Sequence, residues 1–197
     1  LNLIISGGEI SLVASDDGLN AAGGTDSSGT TGKRDGMFGT GMGGRGGPGG
    51  GGFSSSNGSI VISGGTLYIN ASGDGIDANG SVEISGGNIT VVGPAYGDTA
   101  TLDYDTTATI TGGTFIGMGA SGMAQTFGSS SQGVISVNAG KQAAGVQVII
   151  EDSEGNILLE TCSELSFSVI IYSSPNVVSG EEYTVYAGDV SGVITAE

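Results

Sequence analysis

The chain is 197 residues long, enough for one hydrophobic core, and holds 41 glycines against only 3 prolines. Its 20 Asp and Glu against 4 Lys and Arg leave a net charge of −16, which disfavours nucleic acid, whose phosphates require a basic surface. No apolar run approaches the roughly twenty residues of a membrane span, and one cysteine cannot form an internal disulfide.

The chain opens at Leu1 without an initiator methionine or a signal-like segment, which reads as a processed or excised piece. Ile5-Ser-Gly-Gly8 is the first copy of a phrase that returns as Ile62-Ser-Gly-Gly65, Ile84-Ser-Gly-Gly87 and Ile110-Thr-Gly-Gly113. Internal repetition of this kind signals a solenoid. The second and third copies lie 22 residues apart, which suits one coil of a large parallel β-helix. A βαβ unit would need about thirty.

Between the first and second copies falls a low-complexity stretch, 23–56, which reads as a Gly-rich loop extruded from a corner of the coil. It carries three of the four basic residues: Lys33, Arg34 and Arg45. Its Gly39-Thr-Gly-Met-Gly-Gly44 matches a dinucleotide fingerprint, but neither a strand before it nor a helix after it supports that reading.

In the second coil Ile60 and Ile62 alternate inward, Gly64-Gly65 turns the chain, and Leu67, Ile69 and Ala71 alternate inward again. Ser72-Gly-Asp-Gly75 makes a corner before Ile76 and Ala78 return to the interior. Stacked coils predict three apolar columns: Ile5, Ile62, Ile84, Ile110; then Ile10, Leu67, Ile89, Phe115; then Leu19, Ile76, Leu102. The third coil is four residues longer, and the corner 93–98 absorbs the excess.

After Ile135-Ser-Val137 the repeat fades. Residues 146–159 read as a hairpin turning at 153–156, followed by strands at 165–172 and 183–186 that cover the C-terminal end of the stack. Cys162 reads as a small buried hydrophobe there, since the chain has no His to activate it. The expected fold is therefore all-β, a parallel β-helix in one domain over 1–197, with an insertion at 23–56 and a C-terminal β segment at 141–197.

Aligning the first two coils sets Asp17 on Asp74 and Asn20 on Asp77, and the third brings Asp103 onto Asp77 with Asp105 two residues on. Adjacent coils lie about 4.8 Å apart. Carboxylates so close repel unless a cation lies between them or some are protonated. Oxygen ligands without His or clustered thiols favour Ca²⁺ over transition metals. The other reading is that these are ordinary Asx turn residues.

The Ile-Ser-Gly-Gly coils, the Ser15-Asp-Asp-Gly-Leu-Asn-Ala21 corner, the Met/Gly-rich insertion and the tail from Ile170 to Tyr186 resemble the clostridial carbohydrate-binding proteins with a polysaccharide-lyase-like β-helix. The resemblance implies a right-handed parallel β-helix, bound calcium, and a secreted or surface-displayed bacterial protein that binds cellulose and acidic pectic chains. It places the calcium ligands among Asp16, Asp17, Asn20, Asp74, Asp77, Asp103 and Asp105.

Three functions compete. A lyase of this fold needs a Lys or Arg base beside calcium, yet three of four cations lie in the glycine loop and Lys141 falls outside the coils. A hydrolase would need paired carboxylates, and Asp16–Asp17 are better used as metal ligands. The expectation is a non-catalytic, calcium-dependent binder of polysaccharide, with calcium bridging protein and sugar carboxylates. Tyr68, Tyr96 and Tyr104 are the aromatics placed to stack on sugars, or to pack against a neighbouring coil. Lys33, Arg34 and Arg45 could reach a sugar carboxylate from the insertion. The alternative is a structural subunit whose open coil edge pairs end to end into a filament.

Overall fold

The computed structural model describes residues 1–21, 58–97, 99–128 and 130–197. Within them the protein is all-β, with no helix. The insertion at 23–56, and with it Lys33, Arg34 and Arg45, lies outside the described residues, as does Asp98 at the end of the long corner.

The repeated phrases build eight strands, alternating long and short through the sixth: β1 (Asn2–Ala14), β2 (Leu19–Asn20), β3 (Ser59–Ala71), β4 (Ile76–Ala78), β5 (Ser81–Val92), β6 (Leu102–Tyr104), β7 (Thr107–Ile110) and β8 (Thr114–Gly119). The long strands pair in parallel, β1 on β3 and β3 on β5, with β7 and β8 both following on β5. The short ones form a second parallel sheet in the order β2-β4-β6. The pairs β1 and β2, β3 and β4, and β5 and β6 each give one strand to each sheet, whereas β7 and β8 both join the main sheet.

The register matches the predicted columns. Ile5 faces Ile62, Ile62 faces Ile84 and Ile84 faces Ile110. Ile10, Leu67, Ile89 and Phe115 stack likewise, as do Leu19, Ile76 and Leu102. All but the β1 members are buried and belong to one core cluster, against which Ile5 and Ile10 pack half-exposed. Each fully buried Ile or Leu gives roughly 1.5–3 kcal/mol of transfer free energy. Phe115 closes its column edge-on against Phe127, with ring centroids 5.0 Å apart.

The Gly-Gly pairs behave differently from expectation. They bend β1, β3 and β5 without ending them, and the pairing shifts register across each pair. The second glycine takes a positive φ in every copy: 96° at Gly8, 102° at Gly65, 96° at Gly87 and 80° at Gly113. A Cβ on Gly65 would also lie 3.0–3.3 Å from the backbone of Gly7 and Gly8. Two constraints, conformation and close approach, thus demand glycine where neighbouring strands bend together.

The C-terminal part contains β9 (Val134–Gln142), β10 (Gln147–Glu151), β11 (Ile157–Cys162), β12 (Phe167–Ser173), β13 (Glu182–Ala187) and β14 (Val190–Thr195). The hairpin expected at 146–159 is β10–β11, turning between Asp152 and Asn156. Strand β14 was not anticipated, although Ala187 pairs with Val190 around the two-residue loop Gly188-Asp189, a recognised hairpin turn. A four-stranded antiparallel sheet, β11-β10-β13-β14, covers a second core around Ile116, Val148, Ile150 and Tyr172.

Two expectations need correction. Strand β12 does not sit outside as a cover but enters the main sheet, antiparallel to β8 on one side and β9 on the other. The seven-stranded sheet is therefore mixed, and the boundary at 141 cuts through β9. Cys162 is exposed rather than buried, because it ends β11, the edge strand of its sheet. No helix among the described residues is long and apolar enough to cross a membrane.

Candidate functional site

The acidic residues gather where each coil turns into its short strand. In β2, β4 and β6 the apolar residues Leu19, Ile76 and Leu102 fill the core, so the next residues, Asn20, Asp77 and Asp103, form a ladder beside them, paired Asn20 to Asp77 and Asp77 to Asp103. Asn20 Nδ2 ties the first two coils together, donating to Asp17 Oδ2 at 2.7 Å and to Asp77 Oδ2 at 3.2 Å.

The preceding turns interlock through the backbone. Gly18 donates to the Asp74 carbonyl at 2.8 Å, and Gly73 donates to the Asp16 carbonyl at 3.0 Å. Each turn carboxylate also receives an N–H from the next coil: Asp74 N–H reaches Asp17 Oδ1 at 2.8 Å, and Ala100 N–H reaches Asp74 Oδ1 at 2.5 Å. A Cβ on Gly73 would run into Asp17, so the approach of these turns depends on glycine. Asp17 and Asp74 thus bond to the backbone of the next repeat, whereas an ordinary Asx turn residue bonds within its own turn.

The electrostatics of the corner are unfavourable for carboxylates. Asp74 is buried, and burial pushes its carboxyl up to about 7 despite the Ala100 bond, with Asp103, Asp17 and Asp16 adding repulsion. Burial also raises Asp103, with Asp105 and Asp17 contributing. Asp77 is buried as well. Asp105 stands exposed at the margin, its N–H bonded to the Ala78 carbonyl at 3.1 Å.

Only oxygen donors meet here, which suits a hard cation such as Ca²⁺. Among the described residues, however, no three acidic, His or Cys side chains converge as a preformed cluster. The donors fit calcium in chemistry and stand in pairs between coils.

The three tyrosines part company. Tyr104 packs against the main core and donates its hydroxyl to the Thr126 carbonyl at 2.7 Å, so its polar end is spent inside the protein. Tyr68, on β3, is half-buried; burial, then the Glu164 carboxylate, raises its hydroxyl. Tyr96, on the lengthened corner, is 70% exposed.

Lys141, set aside as lying outside the coils, comes to 5.9 Å from the Tyr96 ring centroid. The longer corner was visible in the sequence. That β9 would deliver Lys141 to it was not, because the encounter depends on β12 wedging between β8 and β9. No family model matches the chain, and no curated protein or solved structure matches it either.

Proposed function

We propose that the chain is a non-catalytic, calcium-dependent carbohydrate-binding module built as a right-handed parallel β-helix, secreted or displayed on a bacterial surface, that recognises acidic pectic chains and cellulose. The parallel, in-register pairing of β1-β3-β5 and of β2-β4-β6 supports the coil architecture. One observation carries the functional reading: Asp74 and Asp77 are buried, Asp103 pairs in register with Asp77, and Asp103, Asp17 and Asp16 all act to raise the Asp74 carboxyl. A divalent cation would relieve that repulsion, and in a protein of net charge −16 it would also bridge to a sugar carboxylate. The lack of any His, and a single basic side chain among the described residues, favour binding over bond cleavage.

The test is thermal unfolding and polygalacturonate binding with added Ca²⁺ or with EDTA. Calcium should raise the midpoint and enable binding; Asp77→Asn should remove most of both effects, and Glu182→Ala, on the exposed face of β13, should remove neither. A midpoint indifferent to calcium would sink the metal reading. Steady release of unsaturated uronides would overturn the non-catalytic one.

A second reading, self-association, is favoured by β1. Its outer edge pairs with nothing among the described residues, and Leu1, Ile4 and Val13 are 70%, 69% and 77% exposed. A long apolar edge strand is a template for another chain. Sedimentation and electron microscopy, repeated after Ile4→Lys, distinguish an assembling subunit from a solitary module.

A further inference from the structure

The four extra residues of the third coil do more than lengthen a corner. Gly93 takes a φ of 101°, and a Cβ there would run into the Ala71 carbonyl and meet Leu165, so glycine starts the corner close against that backbone. The residues that follow arch outward and leave Tyr96 70% exposed. Facing it are the end of β9, carrying Lys141 and Gln142, and the loop before β12, carrying Glu164, Leu165 and Ser166. Between the three segments lies an open groove of about 610 Å³, within the size range of small-ligand sites.

The groove has the mixture of groups that sugars require. Tyr96 supplies an aromatic face, and Lys141 Nζ stands 5.9 Å from its centroid, above the ring. Lys141 is the one basic side chain among the described residues. Glu164 is exposed and acceptor-only, and Gln142 offers both donor and acceptor. One hydroxyl of the lining residues, Ser166 Oγ, is buried without a hydrogen-bond partner. Buried hydroxyls left unpaired are uncommon and call for a partner.

Resting on the carbohydrate-binding reading above, we propose that this groove is the subsite for one uronate unit of the polysaccharide, with its C–H face on Tyr96, its carboxylate paired to Lys141 and its hydroxyls bonded by Glu164 and Ser166. It is separate in composition from the acidic corner: a cation and an aromatic ring here, carboxylates there. Lys141 selects charge and Tyr96 selects a pyranose face, so a neutral sugar would keep the stacking and lose the ion pair.

The experiment titrates the full chain with trigalacturonate and with cellotriose, in calcium, at low and high salt. Tyr96→Ala should weaken trigalacturonate binding at least tenfold. Lys141→Gln should weaken it to a similar degree and abolish most of its salt dependence, while leaving cellotriose binding unchanged. Both side chains are exposed, so midpoints of unfolding should match the parent; a purely structural Lys141–Tyr96 contact would lower the midpoint and leave the salt dependence intact, which overturns the proposal. Parental trigalacturonate affinity in both variants would overturn the groove while the binding function stands. A parent chain that binds neither polygalacturonate nor cellulose, with or without calcium, would remove the functional reading and the groove with it.

Discussion

Asp74 takes an N–H from Ala100 and sits among three other acids, and this placement fixes the sign of a pH response. Its carboxyl titrates near 7 in the fold against an ordinary 3.8, so the native state holds the proton more tightly than the unfolded chain. Stability of the calcium-free protein should therefore rise as pH falls from about 7 towards 4, with nothing further gained from this residue below that. Asp103, shifted the same way, adds to the trend. Asp74→Asn keeps a carbonyl oxygen for the Ala100 N–H and removes the charge. In EDTA at pH 8 it should raise the midpoint by roughly 3 °C, the scale of about 1 kcal/mol in a domain of this size, and should flatten the pH profile measured by calorimetry. The stacking of Asp17 on Asp74 was legible from the aligned corners. What these oxygens bond to was not, because the N–H each receives comes from an adjacent coil and depends on how the turns are offset.

At the level of strands, the repeated phrase made the columns readable: an Ile two residues before each Gly-Gly has one inward direction in every coil, and period-2 alternation carries that direction along the strand. Ile84 sits mid-column between Ile62 and Ile110 and is 1% exposed. Ile84→Ala should cost about 2–5 kcal/mol in denaturant unfolding, since rigid neighbours above and below limit collapse of the cavity. Val13→Thr, on the exposed face of β1, should change stability by no more than about 0.5 kcal/mol. Strand β12 was less readable. Val169, Ile170, Ile171 and Tyr172 are all buried, so alternation gives no hint of which sheet they enter, and no repeated phrase marks their register. The groove at Tyr96 inherits that blindness.

Across the whole molecule the repeats tolerate a large interruption. A Cβ on Gly58 would collide with the Ala21 carbonyl, so these two points adjoin. Ala21 N–H is already bonded to the Asp77 carbonyl at 2.8 Å, and Ser59 N–H to that of Leu1 at 2.8 Å. Joining 21 to 58 with a short linker should leave the unfolding midpoint within a few degrees, because halving a loop changes its closure cost by only about 0.6 kcal/mol. Loss of cooperative unfolding would instead make the glycine-rich stretch part of the packed structure. Chain order and spatial order agree from β1 to β8, then part. A ribosome delivers the early strands in the order in which they stack, each with its template already waiting. Strand β9 emerges before the neighbour that joins it to the sheet, and the β8 edge stays bare until Phe167–Ser173 follows. The last seam of this end is thus closed by a late arrival sliding between two earlier strands. A nascent chain keeps one adhesive edge on offer until that segment is made, and the moment of its synthesis decides whether the edge meets its own chain or a neighbour's.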